Sequence, residues 1–218
     1  RTVVVCAPSD APSLVRVRAA EVATAVAEYF RDRDGARVLL LVDSLTRVAR
    51  AQREVGLAAG EPPTTKGYPP SVFALLPTLL ERAGAVRDRG SITAMYTVLV
   101  DGNDHNEPVA DAVRSILDGH FVLSRDLASQ HHYPPIDILQ SVSRTMPDVT
   151  DPVHRRKAAQ VREWMASIRD SEDLVSVGAY VPGSNPRIDQ ALEKQTAIEN
   201  LLKQSADDLV TFNSAVSD

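Results

Sequence analysis

With 44% apolar and 24% charged residues, the 218-residue chain has room for one sizeable α/β domain and a smaller appendage. No run approaches the ~18 consecutive apolar residues that a membrane helix needs, and a net charge of -5 offers nucleic acid no basic surface. The single cysteine, Cys6, has no partner for an internal disulfide, and its place after Val3-Val4-Val5 predicts a small buried side chain.

Val3 to Ala7 reads as a short buried strand, and the lack of an initiator methionine before it leads us to expect further residues on the N-terminal side. Asp10-Ala-Pro12 then opens a helix with apolar positions Val15, Ala19, Val22, Val26 and Phe30, which Gly35 ends. Arg37 to Asp43 contains the continuous apolar run Val38-Leu39-Leu40-Leu41-Val42, the pattern of a strand covered on both faces. A helix from Ser44 to about Leu57 comes next, then a long loop punctuated by Gly60, Pro62, Pro63, Gly67 and Pro69, then a helix from Pro70 to Arg82. Ile92 to Val100 is a strand, Asp101 to Pro108 a polar loop, Val109 to Asp118 a helix and Phe121 to Leu123 a strand. Such alternation predicts a parallel sheet with helices on both faces over residues 1–150. From Asp151 to Asp218 the periodicity is helical only, with Val161, Trp164 or Met165 and Ile168 on one face and Ile188, Ala191, Leu192, Ile198, Leu201 and Leu202 on another. Pro182-Gly-Ser-Asn-Pro186 marks the turn between those helices.

A buried strand ending in Asp43 is the form of a Walker B element, whose carboxylate holds magnesium through water at the C-terminal edge of a sheet. On pattern alone, a helix cap is the commoner use of such an aspartate, and Arg47 four residues later is placed to be its ion-pair partner. The usual companion, G-x-x-x-x-G-K-[ST], occurs nowhere in the chain. Thr64-Thr-Lys66-Gly67 lies between prolines and is no phosphate loop, so this chain alone is expected to bind ATP poorly. The oxygen-rich loop Asp101 to Glu107 has Ala112 where a calcium loop needs its bidentate acid. Adjacent His131 and His132 lack the spacing of zinc ligands, and Arg144 is by default a surface arginine.

Taken in order, Asp43-Ser-Leu-Thr-Arg47, Ala51-Gln-Arg-Glu-Val-Gly56, Gly60 through Phe73, Gly90-Ser-Ile-Thr93, Thr97-Val-Leu-Val-Asp101, Ile116-Leu-Asp-Gly-His120, Val122-Leu-Ser-Arg125, His132-Tyr-Pro134 and Ser141-Val-Ser-Arg144 closely resemble the ATPases of the flagellar and type III secretion apparatus. That family is similar to the catalytic subunits of rotary ATP synthases. The resemblance implies an incomplete RecA-like α/β domain, lacking the phosphate-loop region, followed by a small all-α domain. It implies that Asp43 organises magnesium, that Tyr133 is the aromatic wall for adenine, that Arg47 borders the nucleotide, and that Arg144 is an arginine finger acting on a neighbouring subunit.

The family's phosphate loop and catalytic glutamate precede the matched region, so hydrolysis of ATP with Mg2+ is expected of the longer parent and not of these residues alone. By the same resemblance the parent is a cytoplasmic homohexamer, peripheral to the membrane export gate, with export chaperones, substrate proteins and stalk and regulator proteins as partners. Gly178-Ala-Tyr180 with Gly183-Ser-Asn-Pro186 favours the flagellar over the virulence apparatus. The alternatives are a non-catalytic module that binds chaperone or regulator, and a subunit of the rotary ATP synthase itself.

Overall fold

A computed structural model describes residues 2–100, 102, 107–212 and 214. The chain divides into two compact units, Arg1–Leu117 and Asp118–Asp218.

In the first unit, α1 (Ser13–Asp34) starts after Pro12, and at its end Gly35 takes φ 61° while the Ala36 amide donates to the Phe30 carbonyl at 3.1 Å. Glycine tolerates that left-handed turn without strain. The buried face of α1 is Val17, Ala20, Thr24, Ala27 and Arg31, whereas Val15 and Val22 of the expected face are exposed. The small residues Ala20 and Ala27 are what let the helix approach its neighbours, and the bulkier valines are turned outward. β1 (Arg37–Val42) pairs in parallel with β3 (Ser91–Tyr96), and the two-residue β2 (Gly84–Ala85) adds an antiparallel edge that propensity does not reveal, giving the order β1-β3-β2. Tyr96 ends β3 four residues earlier than the apolar run suggests; beyond it, residue 99 is held by Thr46, whose hydroxyl lies 2.8 Å from the Leu99 amide.

Alternation decides which residues enter the core. Leu40 and Ile92 pack with Ala27 of α1, while Leu45, Val48 and Ala49 of α2 (Leu45–Ala58) cluster with Val72, Leu76, Leu79 and Leu80 of α3 (Pro70–Leu80) and Val109 and Val113 of α4 (Pro108–Ile116). On the opposite face of the sheet Leu39, Leu41 and Met95 stand 61%, 66% and 51% exposed. The two-sided cover expected of β1 is therefore realised on one face among the described residues. Residues 3–7 form no strand, and Cys6 is exposed instead of buried, because nothing among the described residues pairs with that segment.

The second unit opens with β4 (Gly119–Leu123) and β5 (Ile136–Ser143), joined through α5 (Arg125–Ser129) and paired antiparallel in a ladder separate from the first sheet. Val122 pairs with Asp137 and His120 with Val142, so residues 138–141 of β5 oppose Phe121 alone and form a large bulge. After the short α6 (Met146–Val149) come α7 (Pro152–Ser176) and α8 (Pro186–Leu202), which pack on each other. Asp151 caps α7 by accepting from the Val153 and His154 amides, and Asn185 caps α8 by accepting from Arg187. Those backbone donors hold the Asp151 carboxyl below its ordinary value. In the intervening turn Asp189 accepts from the Tyr180 hydroxyl at 3.0 Å and the Gly183 amide at 2.9 Å. Ser171, Ala191 and Ile198 are buried there, while Leu201 of the expected apolar face is exposed near the end of α8. No helix among the described residues is long and apolar enough to cross a membrane.

Candidate functional site

In the first unit, β1 carries Asp43 out of its C-terminal end. Three contacts fix the residue: Thr97 Oγ1 donates to Asp43 Oδ1 at 2.8 Å, the Thr97 amide donates to the Val42 carbonyl at 3.0 Å, and the Leu45 amide returns to the Thr97 carbonyl at 2.9 Å. Asp43 is exposed, and the Asp43–Ser44 peptide is cis. The aspartate is not the cap of α2. Ser44 fills that position, its side chain accepting from the Arg47 amide. Arg47 is exposed on the first turn of α2 and makes no ion pair with Asp43 among the described residues, so the ion-pair alternative also fails.

One carboxylate at a sheet edge suits a magnesium ion that keeps most of its water, because Mg2+ dehydrates reluctantly and is commonly held through one or two carboxylates and the substrate's phosphates. It does not suit an all-protein cage, and no cluster of three acidic, histidine or cysteine side chains occurs among the described residues. The oxygen-rich stretch Asp101–Asn106 lies, apart from Gly102, outside the described residues.

Further along α2, two polar residues serve the loop after the helix. Gln52 Nε2 donates to Ser71 Oγ at 3.1 Å, and the Ser71 amide donates to Glu61 Oε2 at 3.0 Å. Arg53 lies over the Tyr68 ring at 5.3 Å, and Tyr68 meets Phe73 edge to face. Burial, aided by the charge of Glu107, pushes the Tyr68 phenol above its ordinary value. Lys66 sits in a 3-10 turn with φ 48°, four residues before α3 and not at the helix N-terminus where a phosphate loop places its lysine.

In the second unit, Tyr133 is half exposed beside a cis bond to Pro134, and its carbonyl accepts from the Gln204 amide at 2.8 Å, beyond the end of α8. Arg144 comes directly after β5 and is exposed, with its amide donating to the Asp118 carbonyl at 2.7 Å. The structure thus gathers Asp43 and Arg47 in one unit and Tyr133 and Arg144 in the other. Sequence reasoning missed Thr97, Ser44 and Gln204. Ser44 was detectable as a good capping residue, but Thr97 reaches Asp43 only through the parallel pairing, which leaves no local signal.

Residues 1–143 match the model of the ATP synthase alpha/beta family, nucleotide-binding domain, and residues 150–218 match that of the T3SS EscN ATPase C-terminal domain. The chain is 52% identical, over 100% of its length and 49% of the relative's, to the flagellum-specific ATP synthase of Bacillus subtilis. It is also 52% identical, over 99% of its length and 48% of the relative's, to the type 3 secretion system ATPase of Xanthomonas euvesicatoria. Among solved structures, the assembled ATPase EscN of the enteropathogenic E. coli type III secretion system superposes with a TM-score of 0.92 at 48% identity, covering 95% of this chain and 50% of that one. The same ATPase in complex with its central stalk EscO gives 0.88 at 47% identity, covering 97% and 50%. The chain spans about half the length of these relatives, and the likeness supports the α/β-then-helical fold read from the sequence.

Proposed function

Because the chain belongs to the ATP synthase alpha/beta family, alongside flagellum-specific ATP synthases and type III secretion ATPases, we propose that it works as the C-terminal half of a longer ATP hydrolase that drives protein export. The observation that carries this is Asp43, an exposed carboxylate leaving the C-terminal end of a parallel strand and oriented by Thr97. There it would hold magnesium through water, and the metal would neutralise charge on the phosphates of bound ATP. Residues 1–150 form the nucleotide-domain portion, and residues 151–218 the helical domain.

Tyr133 offers a half-exposed ring against which adenine stacks, Arg47 borders the nucleotide, and Arg144 reaches the site of a neighbouring subunit to stabilise charge on the transferring phosphoryl group. A finger acting in trans requires a neighbouring subunit, which in our reading belongs to a homohexamer; the solved assembled form of EscN supports self-association. The EscN–EscO complex supports a stalk partner. Export chaperones, substrate proteins and regulators complete the partner set, met through the helical domain at a cytoplasmic site beside the membrane export gate. We favour the flagellar apparatus; relatives of both kinds match at the same 52% identity, so that preference rests on the 178–186 turn alone.

Calorimetry of ATP with magnesium tests the reading in the full-length protein and in this chain. The full-length protein should bind ATP, and Asp43→Ala should remove the magnesium dependence of binding and abolish turnover. The chain alone, without a G-x-x-x-x-G-K-[ST] stretch, should bind weakly. Full turnover by the Asp43→Ala protein would sink the assignment of Asp43. Tight binding by the chain alone would move the phosphates to the Lys66 loop.

A further inference from the structure

The bulge in β5 poses a satisfaction problem, since four residues face one and their backbone groups have lost the ladder. Side chains solve it. Arg162 of α7 donates from Nη1 to the Ile138 carbonyl at 2.6 Å and the Ser141 carbonyl at 3.2 Å, and from Nη2 to the Leu139 carbonyl at 3.3 Å. The Nε2–H tautomer of His120 donates to the remaining carbonyl, Gln140, at 3.1 Å. Asp137 Oδ1 accepts from the Leu139 and Gln140 amides at 2.9 and 3.0 Å, and the Ser141 hydroxyl bridges the Asp137 carbonyl and the Val122 amide. Two turns further along α7, Arg169 lies 3.8 Å from Asp137 Oδ2. The planar guanidinium is the one side chain whose forked donors suit several carbonyls at once.

This bulge ends at Ser141, three residues before Arg144. We infer that Arg162 is a positioning residue for Arg144: by filling the carbonyl cluster of residues 138–141 it fixes the end of β5 against α7 and so sets where the arginine finger emerges. The inference rests on the proposed role of Arg144. It adds that the helical domain, through α7, is mechanically joined to the residue that stabilises the transition state. Motion of α7 on binding a partner would then be felt at Arg144, because interactions realised only in the transition state are sensitive to displacements near an ångström.

The test measures kcat and KM for ATP in the full-length ATPase carrying Arg162→Ala, Arg162→Lys, Arg144→Ala and the Arg162→Ala/Arg144→Ala pair, with hydrogen exchange of residues 136–143 as a probe of the bulge. Arg162→Ala should lower kcat by roughly 10²-fold with KM nearly unchanged, speed exchange in the bulge, and cause no further loss on the Arg144→Ala background. If Arg162→Ala fails to fold, Arg162→Lys, which keeps the charge and loses the fork, carries the same comparison. Normal kcat in a folded Arg162 variant, beside a collapsed Arg144→Ala, overturns the inference and leaves the finger standing. Additive losses in the pair overturn it too, since Arg162 would then act elsewhere. Normal turnover by Arg144→Ala removes the finger, and the inference with it.

Discussion

At Gly56 the last turn of α2 passes so close to the following loop that a Cβ would lie 2.8 Å from Pro69 Cγ and 2.8 Å from Ser71 Oγ. The serine is tied to Gln52 and Glu61, and the proline ring is rigid, so neither yields cheaply. Gly56→Ala should therefore cost about 1–3 kcal/mol in overpacking, against a helix-propensity gain of about 1 kcal/mol. A lower urea midpoint with unchanged slope is expected, and a raised midpoint would mean that the loop moves aside. The same scale shows what a residue pattern leaves open. Asp43 was legible as the acid after an apolar strand, yet the pattern could not choose between cap, ion pair and metal carboxylate. Only the folded arrangement assigns the cap to Ser44 and a hydroxyl partner to the aspartate.

Between elements, Arg82, two residues beyond α3, grips Glu28 of α1 through both guanidinium branches, with Nε 2.9 Å from Oε1. The hydrogen bonds from Arg82 hold the Glu28 carboxyl below its ordinary 4.5. Glu28 binds its proton more readily in the unfolded chain, so the pair's contribution is full above about pH 4.5 and is lost as pH falls through the lower folded value. Glu28→Gln should then flatten the acid limb of the stability–pH curve below that point while shifting the neutral plateau only modestly. An unchanged acid limb in urea titrations between pH 3 and 7 would place the acid sensitivity elsewhere. Elements announced by local chemistry were readable beforehand: the apolar run of β1, the glycine that closes α1, the change to helical periodicity after Asp151 and the turn at 182–186 that separates α7 from α8. Elements made by long-range pairing were not. β2 is two residues with no propensity, and β4 and β5 form their own antiparallel ladder because the bulge and its side-chain donors, far apart in sequence, permit it.

For the molecule as a whole, the described sheet leaves one face and the free edge of β1 uncovered, with Leu39, Leu41 and Met95 in the open. An apolar face of this kind binds hydrophobic probes and threatens edge pairing. The isolated chain should brighten an anilinonaphthalene dye, and Leu41→Glu should quench much of that signal while changing stability by less than about 0.5 kcal/mol, as an exposed site allows. A dim wild-type chain would show that the face is covered in solution. From composition and periodicity the α/β-then-helical order was clear, and the resemblance named the acid, the ring and the finger; which face of the sheet would lie bare was not, because an apolar run reads the same whether one side or both are covered. The bulge at 138–141 also makes the number of residues in β5 a form of information. Val122 and His120 are two residues apart and share a face of their strand, so their partners Asp137 and Val142 share one as well although they are five residues apart; the bulge absorbs the odd step that strict alternation forbids. The length of that step, and not only its letters, is what keeps the residues on either side of the bulge on a common face.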